Sequence, residues 1–367
     1  MLSSHLTPKQ VANGITAGLL VTVHNAEGQL IKNDTRYLPH DLILDAFNNY
    51  IASLLDYGTL NTNTGAPGNY FFDSYSSDCP SAGPSTTCGI ALEIGTGTGT
   101  VARTDTALFT VYSGLFADTS TNPTFKTSSS INGATCNAAS ETITGIGGTQ
   151  SITSSVTITE AGMYATALGA TILWTHDTFT GIPVVSGDTV SLSYTINLPT
   201  GFSANMCNVL AGVLAGNIGS GDYVPITLTP VSGSAVTFYT WTASGCNSNC
   251  GYILSAQDNA AGASQSDAIA IGTGATAFSY SSVSLTSKVS PYQAPTIRTY
   301  TSTTALATNY FTTSFTLSTS NSITEAGYFL SLTSSGTQNW YLMFGTTFTG
   351  QSETANVLYG LSIAVGD

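Results

Sequence analysis

Residues 155–164, SVTITEAGMY, set a glutamate between a β-branched run and Ala161-Gly162, and residues 320–329, SNSITEAGYF, repeat the arrangement. Only 7% of the chain is charged, so Glu160 and Glu325 in one setting call for one explanation. Further landmarks recur around them in the same order. LEIGTGTGTVARTDTALFT at 92–110 matches IAIGTGATAFSYSSVSLTS at 269–287, with Ile94 against Ile271 and Leu108 against Leu285. TFTG follows at 178–181 and again at 347–350. Each copy then closes on a strand of period two: Val190, Leu192, Tyr194, Ile196 and Leu198 in the first, Val357, Tyr359, Leu361, Ile363 and Val365 in the second. Landmarks in one order describe an internal duplication.

The match extends backwards into helices. Residues 41–57 place Leu44, Phe47, Ile51 and Leu55 on one helical face, between Pro39 and Gly58 as boundary signals. Residues 203–219 offer Met206, Leu210, Val213 and Ile218, with Gly212 and Gly216 weakening the helix. The predicted organisation is a first copy over 38–198 and a second over 199–367. Alternating strands between Gly, Asn, Ser and Thr turns predict a mainly β fold: two tandem antiparallel β-sandwich domains of jelly-roll or immunoglobulin-like type, each with a short helix. Residues 1–37 precede both copies as a β-prone arm, with a hairpin turn at Asn25-Ala26-Glu27-Gly28. Ile15, Leu19, Leu20, Val21 and Val23 of this arm either complete the sheet of their own domain or add as a strand to a neighbouring subunit.

Composition excludes some partners. Seven Lys and Arg against twenty Asp and Glu leave a net charge of −13, which repels a phosphate backbone or an anionic membrane surface. Nucleic acid and membrane are therefore not expected. A surface built from Ser, Thr and Asn with so few charges fits a protein that assembles or faces the outside better than a cytosolic enzyme. No stretch has the make-up of a Sec signal or approaches the ~20 apolar residues of a membrane-spanning helix. For a protein that works outside a cell the expectation is release by lysis or another route, or a signal already removed.

Cys79 and Cys88 bracket CPSAGPSTTC, Cys246 and Cys250 bracket CNSNC, and Cys136 and Cys207 stand alone. The short loops read as local disulfides, with a third pairing left for Cys136 and Cys207; zinc is the competing reading, though a C-x3-C pair without a second pair or a nearby His matches its ligand spacings poorly. Disulfides favour an oxidising or very hot setting.

Motifs of catalysis are sparse. The four histidines form no H-E-x-x-H, and no G-x-S-x-G is present. His176 and Asp177 neighbour each other in a strand and so face opposite ways, which makes His176 a surface or turn residue. GTGTGT at 95–100 lacks the Lys and Ser/Thr of a phosphate loop and reads as a turn or bulged strand. Trp174 and Trp340 follow ITEAG at similar distances and read as equivalent core residues, whereas Trp241 lies in an unmatched excursion and is the candidate glycan contact. A glycosidase pair must face one another about 5 to 10 Å apart, but duplicated domains separate equivalent residues. Each Glu is thus expected to accept backbone N–H bonds at a structural turn in its own domain, with Gly162 and Gly327 permitting a tight backbone. No cofactor, catalytic residue or metal site is expected.

The order IGTGTGTVARTDTAL, SVTITEAGMY, ILWTHDTFTGIPVVSGDTVSLSYTINL is similar to virion structural proteins of tail-fibre or surface-fibre type from phages and archaeal viruses, thermophilic ones especially. The front end, VTVHNAEGQLIKNDTRYLPHDLILDAFNNYIASLL, resembles the lead-in of such proteins. The likeness covers the first copy well and the second in part, since YSSVSLTS replaces RTDTALFT there. What it implies is an assembly subunit without enzymatic activity, located in a virion as a fibre, tail, turret or capsid component. Its partners would be further copies of itself and a host-surface glycan or protein. A surface filament of a thermophilic archaeon and a carbohydrate-binding adhesin are the alternatives.

Overall fold

Strands fill most of the chain wherever β-branched and aromatic residues alternate with hydroxyl residues. The computed structural model describes residues 9–48, 89–112, 114–117, 135–137, 141–167, 170–214, 225–239, 266–302, 307–317, 321–334, 337–353 and 356–365. The first half comprises β1 (Lys9–His24), β2 (Arg36–Ile43), β3 (Gly89–Gly95), β4 (Phe116–Ala117), β5 (Thr135–Asn137), β6 (Thr142–Ser151), β7 (Val156–Ala167), β8 (Ala170–Val184) and β9 (Thr189–Asn197). The second half opens with helix α1 (Ala204–Val213) and continues through β10 (Pro225–Leu228), β11 (Val236–Tyr239), β12 (Ser266–Gly272), β13 (Ile297–Ser302), β14 (Ala307–Thr316), β15 (Asn321–Ser334), β16 (Thr337–Glu353) and β17 (Asn356–Val365). The fold is mainly β, in several antiparallel sheets.

The two halves use the same pairings. In the first, β5, β6, β9 and β1 pair in that order, and β3, β7 and β8 pair in another run. In the second, β13, β14 and β17 correspond to β5, β6 and β9, while β12, β15 and β16 correspond to β3, β7 and β8. Strand β2 crosses between the two runs of the first half, pairing Leu38 with Leu19 and Leu42 with His176. A helical turn at residues 45–48 and helix α1 dock at matching points. Leu44 donates its amide to Trp174 O (2.9 Å) and Asp45 to Arg103 O (2.9 Å), where Ser203 donates to Met343 O (3.0 Å) and Ala204 to Tyr280 O (2.7 Å). Ser203 also caps α1, its side chain accepting from the Met206 amide at 3.4 Å.

Period-two burial builds the core. Val190, Leu192, Tyr194 and Ile196 of β9 are buried together with Ile15, Ala17, Leu19, Val21 and Val23 of β1, in one cluster with Ile158, Met163 and Trp174 from the facing strands. Of Ile15, Leu19, Leu20, Val21 and Val23, Leu20 alone points outward, opposite the exposed Tyr37 on β2. The turn at Asn25 to Gly28 closes with the Gly28 amide on Asn25 O (2.8 Å), and Gly28 takes a positive φ of 77°.

Strand β1 belongs to both halves. Thr16 to His24 run antiparallel to β9 in an unbroken ladder. Lys9 to Ile15 run parallel to β17, pairing Lys9 with Leu361, Gln10 with Ser362, Gly14 with Ala364 and Ile15 with Val365 across an irregularity. A covalent link adds to this: Cys136 on β5 and Cys207 on α1 form a disulfide, their Cα atoms 6.0 Å apart and 71 residues apart in sequence. Cys79, Cys88, Cys246 and Cys250 lie outside the described residues, as does Trp241. Closing a loop of that length removes about 4 kcal/mol of unfolded-chain freedom. The Cys136→Ala/Cys207→Ala double variant is therefore expected to unfold in urea with roughly that much less stability than the oxidised wild type; equal midpoints would show that the link constrains nothing.

Candidate functional site

Strand β7 carries Ile158 into the core and, two residues on, presents Glu160 to the segment that follows β3. Glu160 has no solvent exposure, and neither has Glu325 in β15. Burying a carboxylate is costly unless donors meet both oxygens. Here the donors are backbone amides. Glu160 Oε1 accepts from Gly97 N (2.7 Å) and Thr110 N (2.8 Å), and Oε2 accepts from Phe109 N (2.9 Å). Glu325 Oε1 accepts from Gly274 N (3.0 Å) and Ser287 N (2.8 Å), and Oε2 from Thr286 N (3.0 Å). The preceding threonine completes each clamp, Thr159 Oγ1 donating to Gly97 O and Thr324 Oγ1 to Gly274 O, both at 2.7 Å.

The surrounding motifs follow from this clamp. Register sets Gly95 opposite Glu160 and Gly272 opposite Glu325. A Cβ at Gly97 would sit 2.5 Å from Glu160 Oε1, and one at Gly274 2.6 Å from Glu325 Oε1, so these glycines exist to let the carboxylate approach the main chain. The GTGT stretch thus does bind an anion through an amide, but the anion is the protein's own glutamate. TFTG lies on the strand opposite, at a register shift, and its glycine makes room for neighbouring side chains: a Cβ at Gly181 would meet Thr157 Cγ2 at 2.5 Å. The β7–β8 register slips between Ile158 and Glu160, and the β15–β16 register slips between Ile323 and Glu325, which accommodates a bulge at this tetrapeptide.

Two expectations are corrected here. The glutamates sit within strands rather than at a turn, because their amide partners come from a segment up to 63 residues away in sequence. Gly162 and Gly327 likewise lie in strand, and space is their constraint: a Cβ at Gly162 would meet Leu173 Cδ1 at 2.7 Å and Leu108 Cδ2 at 3.0 Å, and one at Gly327 would meet Leu342 Cδ1 at 2.9 Å and Leu285 Cδ2 at 3.0 Å.

Beside the clamp the halves diverge. His176 is fully buried and not a surface or turn residue; its Nδ1 lies 2.7 Å from Asp105 Oδ2 and its Nε2 3.1 Å from Glu160 Oε2. Phe109 leans on the imidazole, ring centroids 4.7 Å apart. The matched position is Gly345, since Gly162 pairs with His176 and Gly327 with Gly345. A Cβ there would strike the Phe278 ring, which fills the space that the imidazole takes in the first half. The same register makes Met343 the partner of Trp174, so Trp340 is not its equivalent. Trp174 is wholly buried against Phe47 (5.1 Å), whereas Trp340 is half-buried and stacked on Tyr292 (4.3 Å). Sequence distance from ITEAG misled because the strands do not begin at matching points.

A buried acid–tyrosine pair also differs between halves. Glu93 bonds Tyr164, whose hydroxyl accepts from Leu108 N at 3.2 Å; at the matched positions stand Ala270 and Phe329. In the second half Tyr328 donates to Asp267 Oδ2 at 2.7 Å instead. Burial pushes the Glu93 carboxyl above its ordinary range; the Tyr164 hydrogen bond opposes the shift and the Glu160 charge adds to it. Sequence reasoning missed Glu93, Asp105 and Tyr164, although Glu93 replaces the otherwise apolar residue of a repeated strand.

With both oxygens of Glu160 and Glu325 occupied and sealed, neither carboxylate is open to a sugar. Among the described residues no group of three or more His, Cys, Asp and Glu is arranged to hold a metal ion, and no helix is long and apolar enough to cross a membrane. No protein family, curated protein or solved structure matches the chain.

Replacing Glu160 or Glu325 by Gln turns one accepting oxygen into a donor facing backbone N–H groups. Each change is expected to cost about 3 kcal/mol or more in urea unfolding. An unchanged midpoint would remove the clamp from the account of the fold. Glu93→Gln is expected to act in the opposite direction. A carboxyl whose pKa is raised by folding favours the folded state below its unfolded value and loses that contribution as pH rises through its folded value. The variant should therefore gain in melting temperature over the wild type at pH 7 to 8, and the gain should vanish near pH 4. A pH-independent difference would rule out ionisation as the cause.

Proposed function

We propose that this chain is a non-enzymatic, self-assembling structural protein of a virion, a component of its fibre, tail, turret or capsid. In this reading residues 38–198 and 199–367 are tandem β-sandwiches of jelly-roll or immunoglobulin-like type, and further copies of the chain are the principal partners. The observation that carries it is that the motif residues resembling virion proteins spend their bonding on one another. Glu160 binds the amides of Gly97, Phe109 and Thr110, and the second copy does the same with Glu325. A chain that twice commits a buried charge to fastening a long connection onto a strand is built for a persistent shape. The hydroxyl-rich surface and the disulfide between halves agree with service outside a reducing cytosol.

Purified protein is expected to form regular polymers or shells by negative-stain microscopy. At −13 per chain the copies repel, so added salt should favour assembly by screening that repulsion. Protein that stays monomeric at every salt concentration would overturn the reading. Glycan binding by such a monomer, abolished by Trp241→Ala, would replace it with an adhesin; recovery of the polymers from archaeal cell surfaces and not from particles would replace it with a cellular filament.

A further inference from the structure

We propose that the first half of β1 is exchanged between copies of this chain: residues Lys9–Ile15 of one molecule pair along Leu361–Val365 of the next, in the register they keep within one molecule. The inference rests on the assembly reading above and names its joint.

The two halves of β1 are held very differently. Residues 16–24 lie inside a sheet, with β9 on one side in an unbroken antiparallel ladder and β2 on the other. Ala17, Leu19, Val21 and Val23 are all fully buried. This half stays where it is. Residues 9–15 pair, among the described residues, only with β17, and the ladder is parallel and broken between Gln10 and Gly14; Ile15 at its end is fully buried, and exchange seats it at the same place in the core of the next molecule. Parallel pairing is slightly weaker per residue, and the break spans residues 11–13. One strand thus has an anchored end and a more weakly paired end, with the change of partner from β17 to β9 at Ile15/Thr16 between them.

The acceptor is equally marked. β17 takes the place in the second half that β9 takes in the first, each pairing on one side with its matched neighbour, β14 or β6. On its other side β9 receives residues 16–24 of β1. The strand that would serve β17 by the same logic is the one preceding α1, and that strand is β9 itself, already committed to the first half. The second half therefore borrows its completing strand from the far end of the sequence. A borrowed strand makes the same backbone hydrogen bonds whichever molecule lends it. Donor and acceptor are different surfaces, so exchange links molecules head to tail and builds an open polymer or a ring.

The test mixes Gln10→Cys chains with Ser362→Cys chains as monomers, lets them assemble, oxidises them, and identifies linked peptides by mass spectrometry. Since the two cysteines are on different molecules, a 10–362 link reports exchange alone. The double variant Gln10→Cys/Ser362→Cys controls for register, and its melting temperature controls for folding. Exchange predicts the link in the mixed polymer, at least tenfold above the unassembled mixture. Polymers with no 10–362 link in the mixture, alongside a link within each double-variant chain, would overturn the exchange and leave assembly standing. A double variant that links only within monomers, with no polymer under any condition, would overturn both.

Discussion

Everything else in this fold is arranged around a carboxylate that has left water. A buried charge is tolerated when fixed donors surround it, and backbone amides are the cheapest such donors because they must be satisfied in any case. Glu160 and Glu325 each collect three. The demand propagates outward. The strand before the connection must end in Gly-Thr-Gly, so that the main chain can come within bonding distance of the carboxylate. The chain must return so that residues 109 and 110, or 286 and 287, offer their amides. Inter-strand register must place the first glycine opposite the glutamate, which it does in both halves. The IGTG and ITEAG motifs are thus two sides of one contact, far apart in sequence.

A clamp internal to each half does not join the halves; one hydrophobic core runs through both, and among the described residues two more specific constraints join them. One is the Cys136–Cys207 disulfide between β5 and α1. The other is β1, which is antiparallel to β9 and parallel to β17. Because β1 runs on from one ladder to the other, the sense it adopts along β9 dictates the sense it adopts along β17. The weaker parallel ladder is a consequence of continuity and not of local preference.

The sequence displayed these features unevenly. The repeat, the strands of period two and helix α1 were legible because each is a local pattern with a spacing. Glu160 was conspicuous because charge is scarce; its partners were not, since backbone amides leave no mark in composition. His176 looked peripheral because its sequence neighbour Asp177 faces the other way, and the carboxylates that bracket it, Asp105 and Glu160, are distant in the chain. The disulfide joined the two cysteines without a close partner in sequence, a pairing that only the docking of α1 beside β5 brings within reach. Trp174 and Trp340 invited a false equivalence, because counting from ITEAG ignores where each strand turns.

Where the halves differ, they differ in coupled sets. Imidazole at 176 comes with a carboxylate at 105, while Gly345 comes with the Phe278 ring that occupies its space. Neither half could exchange one member alone: a lone Phe would meet the imidazole, and a lone Gly would leave a void beside a buried charge. The acid–tyrosine pair obeys the same rule, standing as Glu93 with Tyr164 on one strand face and as Asp267 with Tyr328 on the other. In these two sets the buried polar groups are kept together or lost together. The clamp itself does not diverge: its donors are main-chain amides, which only proline removes, and at Gly97 and Gly274 any side chain would collide with the carboxylate, so both positions stay glycine.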